Sequence, residues 1–187
     1  SYRDQYRIDG QNITPVITTV LNFSKPTGDN PSLLTFEEVS TLYHEFGHAL
    51  HGMLSNTTYL RLSGTSVARD FVELPSQIME NWAAEPEVMK MYAKHYKTGE
   101  PIPQELMDKI EASKHFNQGF TTVEYLSACY LDLDWHILKD TALQNPLEYE
   151  KASMDKIGLI PEIVVRYRSP YFAHIFSGGY SAGYYSY

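Results

Sequence analysis

Cysteine is almost absent: Cys129 is the only one in 187 residues. An intrachain disulfide is therefore excluded, as is any metal site built on several thiolates, and a reducing, cytoplasmic setting is expected. Basic residues are also scarce, with 15 Lys and Arg against 23 Asp and Glu and a formal net charge of −8. No basic run exists, so neither nucleic acid nor an anionic membrane surface is an expected partner. Long apolar runs are missing too. The longest, such as Ile163 to Val165, are far too short to cross a bilayer, and Ser1 to Thr14 lack the apolar stretch of a secretion signal. What remains is ordinary, with 43% hydrophobic and 20% charged residues, and suits one compact globular domain over 1–187.

Residues 15–23 are rich in β-branched side chains between turn-prone stretches and read as a short strand. The segment 25–32 holds Pro26, Gly28, Asp29, Asn30 and Pro31 and reads as a surface loop. Thr35 followed three residues later by Glu38 has the form of a capping box. Phe36, Val39, Leu42, Tyr43, Phe46, Leu50 and Leu54 then recur at helical spacing, which predicts a helix over 36–55. Helical spacing resumes over 71–85, with Pro75 in its first turn. Pro86 and Pro103 open further helical segments at 86–97 and 104–116, and 119–144 is periodic throughout. From Ile160 the chain becomes irregular, and its last residues read as the start of a helix that would put Tyr180, Tyr184 and Tyr187 on one face. The fold class that follows is mainly α, with one short strand or hairpin near the N-terminus.

His44-Glu45-Phe46-Gly47-His48 has the form H-E-x-x-H in the middle of the first predicted helix. Side chains four apart on a helix share a face, with Cβ atoms about 5–6 Å apart, so both imidazoles can reach one ion at Zn–N distances of about 2.0–2.1 Å. Glu45 sits beside that face, where its carboxylate can take a proton from a metal-bound water. Composition alone produces this pattern in about 2% of such chains, and the helical context makes chance rarer still.

Two ligands leave a catalytic zinc site incomplete, because three protein ligands are usual. The longer pattern that continues with glycine at 51 and histidine at 54 is excluded, since the chain has His51 and Leu54 there. A carboxylate from the next helix is the alternative. Glu73 is the best placed, while Asp70, Glu80 and Glu85 lie on or near the same helix, and spacing does not choose among them. His51, one turn beyond His48, reads as a packed or outer histidine rather than a ligand.

The chain resembles the thimet-oligopeptidase-like family of zinc metallopeptidases, and within it the bacterial peptidyl-dipeptidases, also called dipeptidyl carboxypeptidases. Three stretches carry the resemblance: Leu42 to Gly52 around the histidines; Ser63-Gly64-Thr65 with Arg69 to Trp82 around Glu73; and Arg166 to Phe176, running into Gly178-Gly179-Tyr180 and Tyr184-Tyr185-Ser186-Tyr187. The resemblance implies a zincin-like helical core in which His44, His48 and Glu73 bind one zinc ion and Glu45 is the general base. It also implies that His174, Tyr180 and Tyr187 face the substrate as catalytic residues, and that His174, Gly178, Gly179, Tyr180 and Tyr184 belong to a substrate-binding loop. There the glycines let the loop close, and a hydroxyl of Tyr180 or Tyr187 donates to the oxyanion.

The expected activity is hydrolysis of oligopeptides with release of C-terminal dipeptides. The alternatives are an oligoendopeptidase of the same family and a zinc- or peptide-binding module without catalysis. Members of the family are several times longer, so the expectation is a catalytic-region fragment with the rest of the family domain missing. Arg166 and Arg168 are possible partners for a substrate carboxylate, although solvation is the commoner role for either alone.

Overall fold

A computed structural model describes residues 1–140 and 142–187. The chain forms two compact units, Ser1–Ala112 and Ser113–Tyr187. Seven α-helices and one two-stranded hairpin are present among the described residues, in agreement with a mainly helical class.

In the first unit, β1 (Tyr6–Ile8) pairs antiparallel with β2 (Gln11–Ile13), with Ile8 opposite Gln11. Asp9 and Gly10 have φ of 50° and 76°, the left-handed pair that a two-residue hairpin turn requires. The strand expected over 15–23 does not form. Val16 alone pairs, in an isolated bridge with Arg3, and Val20 is exposed. Strand propensity needs a partner edge, and the Asp-Gly turn commits the local pairing to the residues before it.

Helix α1 (Phe36–Met53) starts where the capping box places it: Glu38 N donates to Thr35 Oγ1 at 3.2 Å and Thr35 N donates to Glu38 Oε2 at 2.8 Å. The hydrogen bond from the Thr35 backbone also lowers the pKa of Glu38. Helix α2 (Leu74–Ala83), with Pro75 in its first turn, packs along α1. The contact is close because small residues meet: a Cβ on Gly47 would stand 2.5 Å from Ser76 Cα and 2.6 Å from the Pro75 carbonyl oxygen. Helices α3 (Pro86–Tyr92) and α4 (Gln104–Ser113) follow. The helix expected over 86–97 stops at Tyr92, because residues 94–101 turn back on themselves around Gly99, with a bridge between Lys94 and Pro101.

In the second unit the expected helix over 119–144 resolves into α5 (Gln118–His136) and a non-helical stretch. Thr141, within that expected helix, lies outside the described residues. A further helix, α6 (Pro146–Lys156), starts from an Asn145 cap whose side-chain oxygen accepts from Leu147 N at 3.1 Å. Asn-Pro supplies both the cap and the first-turn proline, so the periodicity past His136 gives way to a new helix start. The core of this unit is made by Leu131 of α5, Met154 of α6, and Phe172, Ile175, Tyr180 and Tyr184. Helix α7 (Ala173–Phe176) is a single turn. The tail beyond it is not the α-helix expected, because Ala182 is left-handed at φ 52° and only one 3-10 turn, Tyr184–Ser186, forms.

Candidate active site

Helix α1 presents His44 and His48 one turn apart, with ring centroids 5.0 Å from each other and planes at 85°. The close α1–α2 approach at Gly47 brings the residue that precedes α2 up to them. Glu73 Oε2 lies 3.2 Å from His44 Nε2 and 3.0 Å from His48 Nε2. Ser76 Oγ donates to that same oxygen at 2.8 Å and to the Glu73 carbonyl at 2.9 Å, which fixes the carboxylate's direction. One donor atom from each of His44, His48 and Glu73 falls within 4.8 Å of the others, so the three can hold a metal ion.

The fit to zinc is chemical as well as geometric. Three donors at about 2.0–2.1 Å from a tetrahedral ion stand about 3.3 Å apart, and two imidazoles with one carboxylate form a known catalytic zinc donor set. His48 Nδ1 is buried with no hydrogen-bond partner, leaving Nε2 as the nitrogen that faces the other donors. All three side chains are half-buried, as a site open to water and substrate requires.

Of the other carboxylates compatible with the spacing, Glu80 Oε1 sits 2.6 Å from His44 Nδ1, on the far side of the ring from Glu73. That contact fixes the proton on Nδ1 and frees Nε2 as a ligand. Asp70, in the turn before Glu73, and Glu85, just before α3, do not join the cluster. His51 packs its ring against Phe71 at 6.1 Å, and burial, followed by the neighbouring His48, pushes its pKa down. Glu45 is half-buried and lines, with His48, Gly64 and Thr65, a cavity of about 90 Å³.

In the second unit, His174, Tyr180, Tyr184 and Tyr187 come together. The His174 ring lies 5.7 Å from Tyr184 and 5.4 Å from Tyr187, Tyr180 is 5.3 Å from Tyr187, and Tyr184 stacks on Tyr187 at 5.3 Å. Tyr184 is fully buried and Tyr180 nearly so, while Tyr187 is half-buried and Tyr185 exposed. Gly178 and Gly179 make the turn between α7 and Tyr180; a Cβ on Gly178 would stand 2.8 Å from His174 Cα, and Gly179 has φ 86°. Arg168 is paired with buried Glu150, and Arg166 lies over the Tyr167 ring at 5.7 Å.

Residues 2–187 match the model of peptidase family M3. The chain belongs to that family. It is 48% identical to the dipeptidyl carboxypeptidase of Escherichia coli (strain K12) over 175 residues, which cover 92% of this chain and 26% of that protein. It is 41% identical to oligopeptidase A of the same organism over 189 residues, 97% of this chain and 27% of the relative. Saccharolysin of Saccharomyces cerevisiae is 38% identical over 177 residues. The chain thus spans about a quarter of the length of these M3 relatives. No helix among the described residues is long and apolar enough to cross a membrane.

Sequence reasoning did not find the outer partners of this M3 site. Glu80 was legible as a carboxylate two turns after Glu73, yet its contact with the second nitrogen of His44 depends on the α1–α2 crossing. Ser76 gave no signal beyond its position one turn after Glu73. The carboxylates Asp132 and Glu150, fully or nearly fully buried in the second unit, had none.

Proposed function

We propose that the protein is a zinc metallopeptidase that hydrolyses oligopeptides and releases dipeptides from a free C-terminus. The observation that carries this reading is the convergence of His44, His48 and Glu73 on one point, with Glu45 next to the first histidine on the same helix. His44 Nε2, His48 Nε2 and Glu73 Oε2 would hold the zinc. Zinc, when bound, lowers the pKa of its water to about 7 and polarises a carbonyl oxygen. Glu45 takes the proton of the attacking water and returns it to the leaving amine. Glu80 orients His44, and Ser76 orients Glu73.

His174, Gly178, Gly179 and Tyr184 form the peptide-binding loop in this reading, and a hydroxyl of Tyr180 or Tyr187 donates to the oxyanion; a phenol is neutral at pH 7 and suits that role. The single thiol, Cys129, is free and buried, which suits the cytoplasm.

Dipeptide release is supported by the likeness to dipeptidyl carboxypeptidases. A second reading, endopeptidase action, is supported by the likeness to oligopeptidase A. Digestion of one unblocked peptide and its C-terminally amidated twin separates them. Release of C-terminal dipeptides from the free peptide alone fits the first reading; equal internal cleavage of both fits the second.

A further inference from the structure

Asp132, one turn before the C-terminal end of α5, is fully buried, and no Lys or Arg pairs with it among the described residues. A buried carboxylate needs donors to replace its water. Asp132 takes them from one segment and one neighbour. Ala182 N donates to Oδ1 at 2.9 Å, Tyr184 N donates to Oδ2 at 2.9 Å, and His136 Nδ1 lies 2.8 Å from Oδ1. His136 Nδ1 also faces the Asp132 carbonyl at 2.8 Å, so only acceptors surround it and it carries the proton. The other nitrogen, Nε2, lies 2.6 Å from Ser181 Oγ, within hydrogen-bond distance. Ser181, Ala182 and Tyr184 of the glycine- and tyrosine-rich loop are thus tied to the Asp132–His136 pair on α5.

The backbone there needs such a tie. Ala182, which is not glycine, is held at φ 52°, a conformation that persists only where its surroundings impose it. A second tie comes from Tyr125, also on α5, whose hydroxyl donates to the carbonyls of Tyr184 at 3.2 Å and Tyr185 at 2.9 Å. Burial pushes the Tyr125 pKa up to about 12, so it keeps its proton across the ordinary pH range. The dependence is mutual: if the loop left this conformation, Asp132 would lose two of its three donors.

We infer that Asp132, with His136, is a positioning residue for the peptidase reaction: its carboxylate fixes the 180–187 loop and thereby the Tyr180 and Tyr187 hydroxyls. This inference rests on the function proposed above. Asp132→Asn is the test, because the amide keeps one acceptor oxygen and turns a donor toward the second backbone N–H. In the intact protein, hydrogen exchange at the Ala182 and Tyr184 amides should rise about 10- to 100-fold, with the amides of α5 and α6 still protected. The kcat should fall by a comparable factor, with zinc content unchanged.

His136→Ala, at a partly exposed side chain, should give a smaller change of the same kind, and it keeps the test open if the Asn variant does not fold. Glu150→Gln removes a different buried carboxylate, one that holds Arg168 and Ser169 N, and should leave Ala182 and Tyr184 protected. Wild-type protection at both amides in Asp132→Asn or His136→Ala would overturn the inference, as would a loosened loop with wild-type kcat. A wild-type protein that cleaves no peptide would instead overturn the proposed function, and the exchange measurement distinguishes the two failures.

Discussion

Gly47 and Ser76 meet so closely that a Cβ on the glycine would stand 2.5 Å from the Ser76 Cα. Because this is backbone, the clash cannot be relieved by a rotamer change. Gly47 lies between the two histidines, and Ser76 holds Glu73, so the same contact that packs α1 on α2 sets the distance between the ligands. We predict that Gly47→Ala, despite the better helix propensity of alanine, destabilises the protein by about 1–3 kcal/mol. Zinc affinity should fall with it. Chemical denaturation and a competitive zinc titration check both.

The three acidic and basic neighbours of the centre should separate in a metal titration. Glu73→Gln exchanges an anionic ligand for a neutral amide in a site with three protein donors and should abolish stoichiometric zinc. Glu80→Gln leaves the donors in place but loosens His44, and should weaken zinc binding by about 10- to 100-fold. His51→Gln, at a ring that packs on Phe71, should retain nearly full zinc. Atomic absorption after dialysis gives the order; full zinc in the Glu73 variant with loss in the His51 variant would overturn the ligand assignment.

The first unit was more legible in sequence than the second for physical reasons. A capping box, a proline in the first turn of a helix and H-E-x-x-H are local signals, and α1, α2 and the histidine pair follow from them. The hairpin also had a local signal, Asp9-Gly10, but the β-branched run at 15–23 outweighed it. Propensity alone does not say which segment finds a partner edge. Asn145-Pro146, directly after the periodic stretch 119–144, was another local signal, for a helix start. The ties at Asp132 and Glu150 had no local sign, because each joins residues of α5 or α6 to a segment 18 to 52 positions later in the chain. The four-residue turn at α7 and the left-handed Ala182 belong to the same class: they exist because distant partners hold them.

The tyrosines of the tail differ in burial, and their substitution should reflect it. Tyr187→Phe in the intact protein should lower kcat by about 10² to 10³ with little change in KM, the effect of removing one oxyanion donor while the ring stays packed. Tyr180→Phe tests the second candidate hydroxyl in the same way, and at least one of the two effects should be large. Tyr185→Phe should be neutral, since that side chain is 66% exposed. Steady-state kinetics on the three variants decides: wild-type kcat in both Tyr180→Phe and Tyr187→Phe would make these residues structural.

The most direct test of the central claim is turnover by Glu45→Gln, measured beside its zinc content in the intact protein. The amide cannot accept the proton of water, while His44, His48 and Glu73 are untouched. The expected result is stoichiometric zinc, unchanged peptide binding and almost no hydrolysis. Substantial hydrolysis by a folded, zinc-loaded Glu45→Gln protein would contradict it.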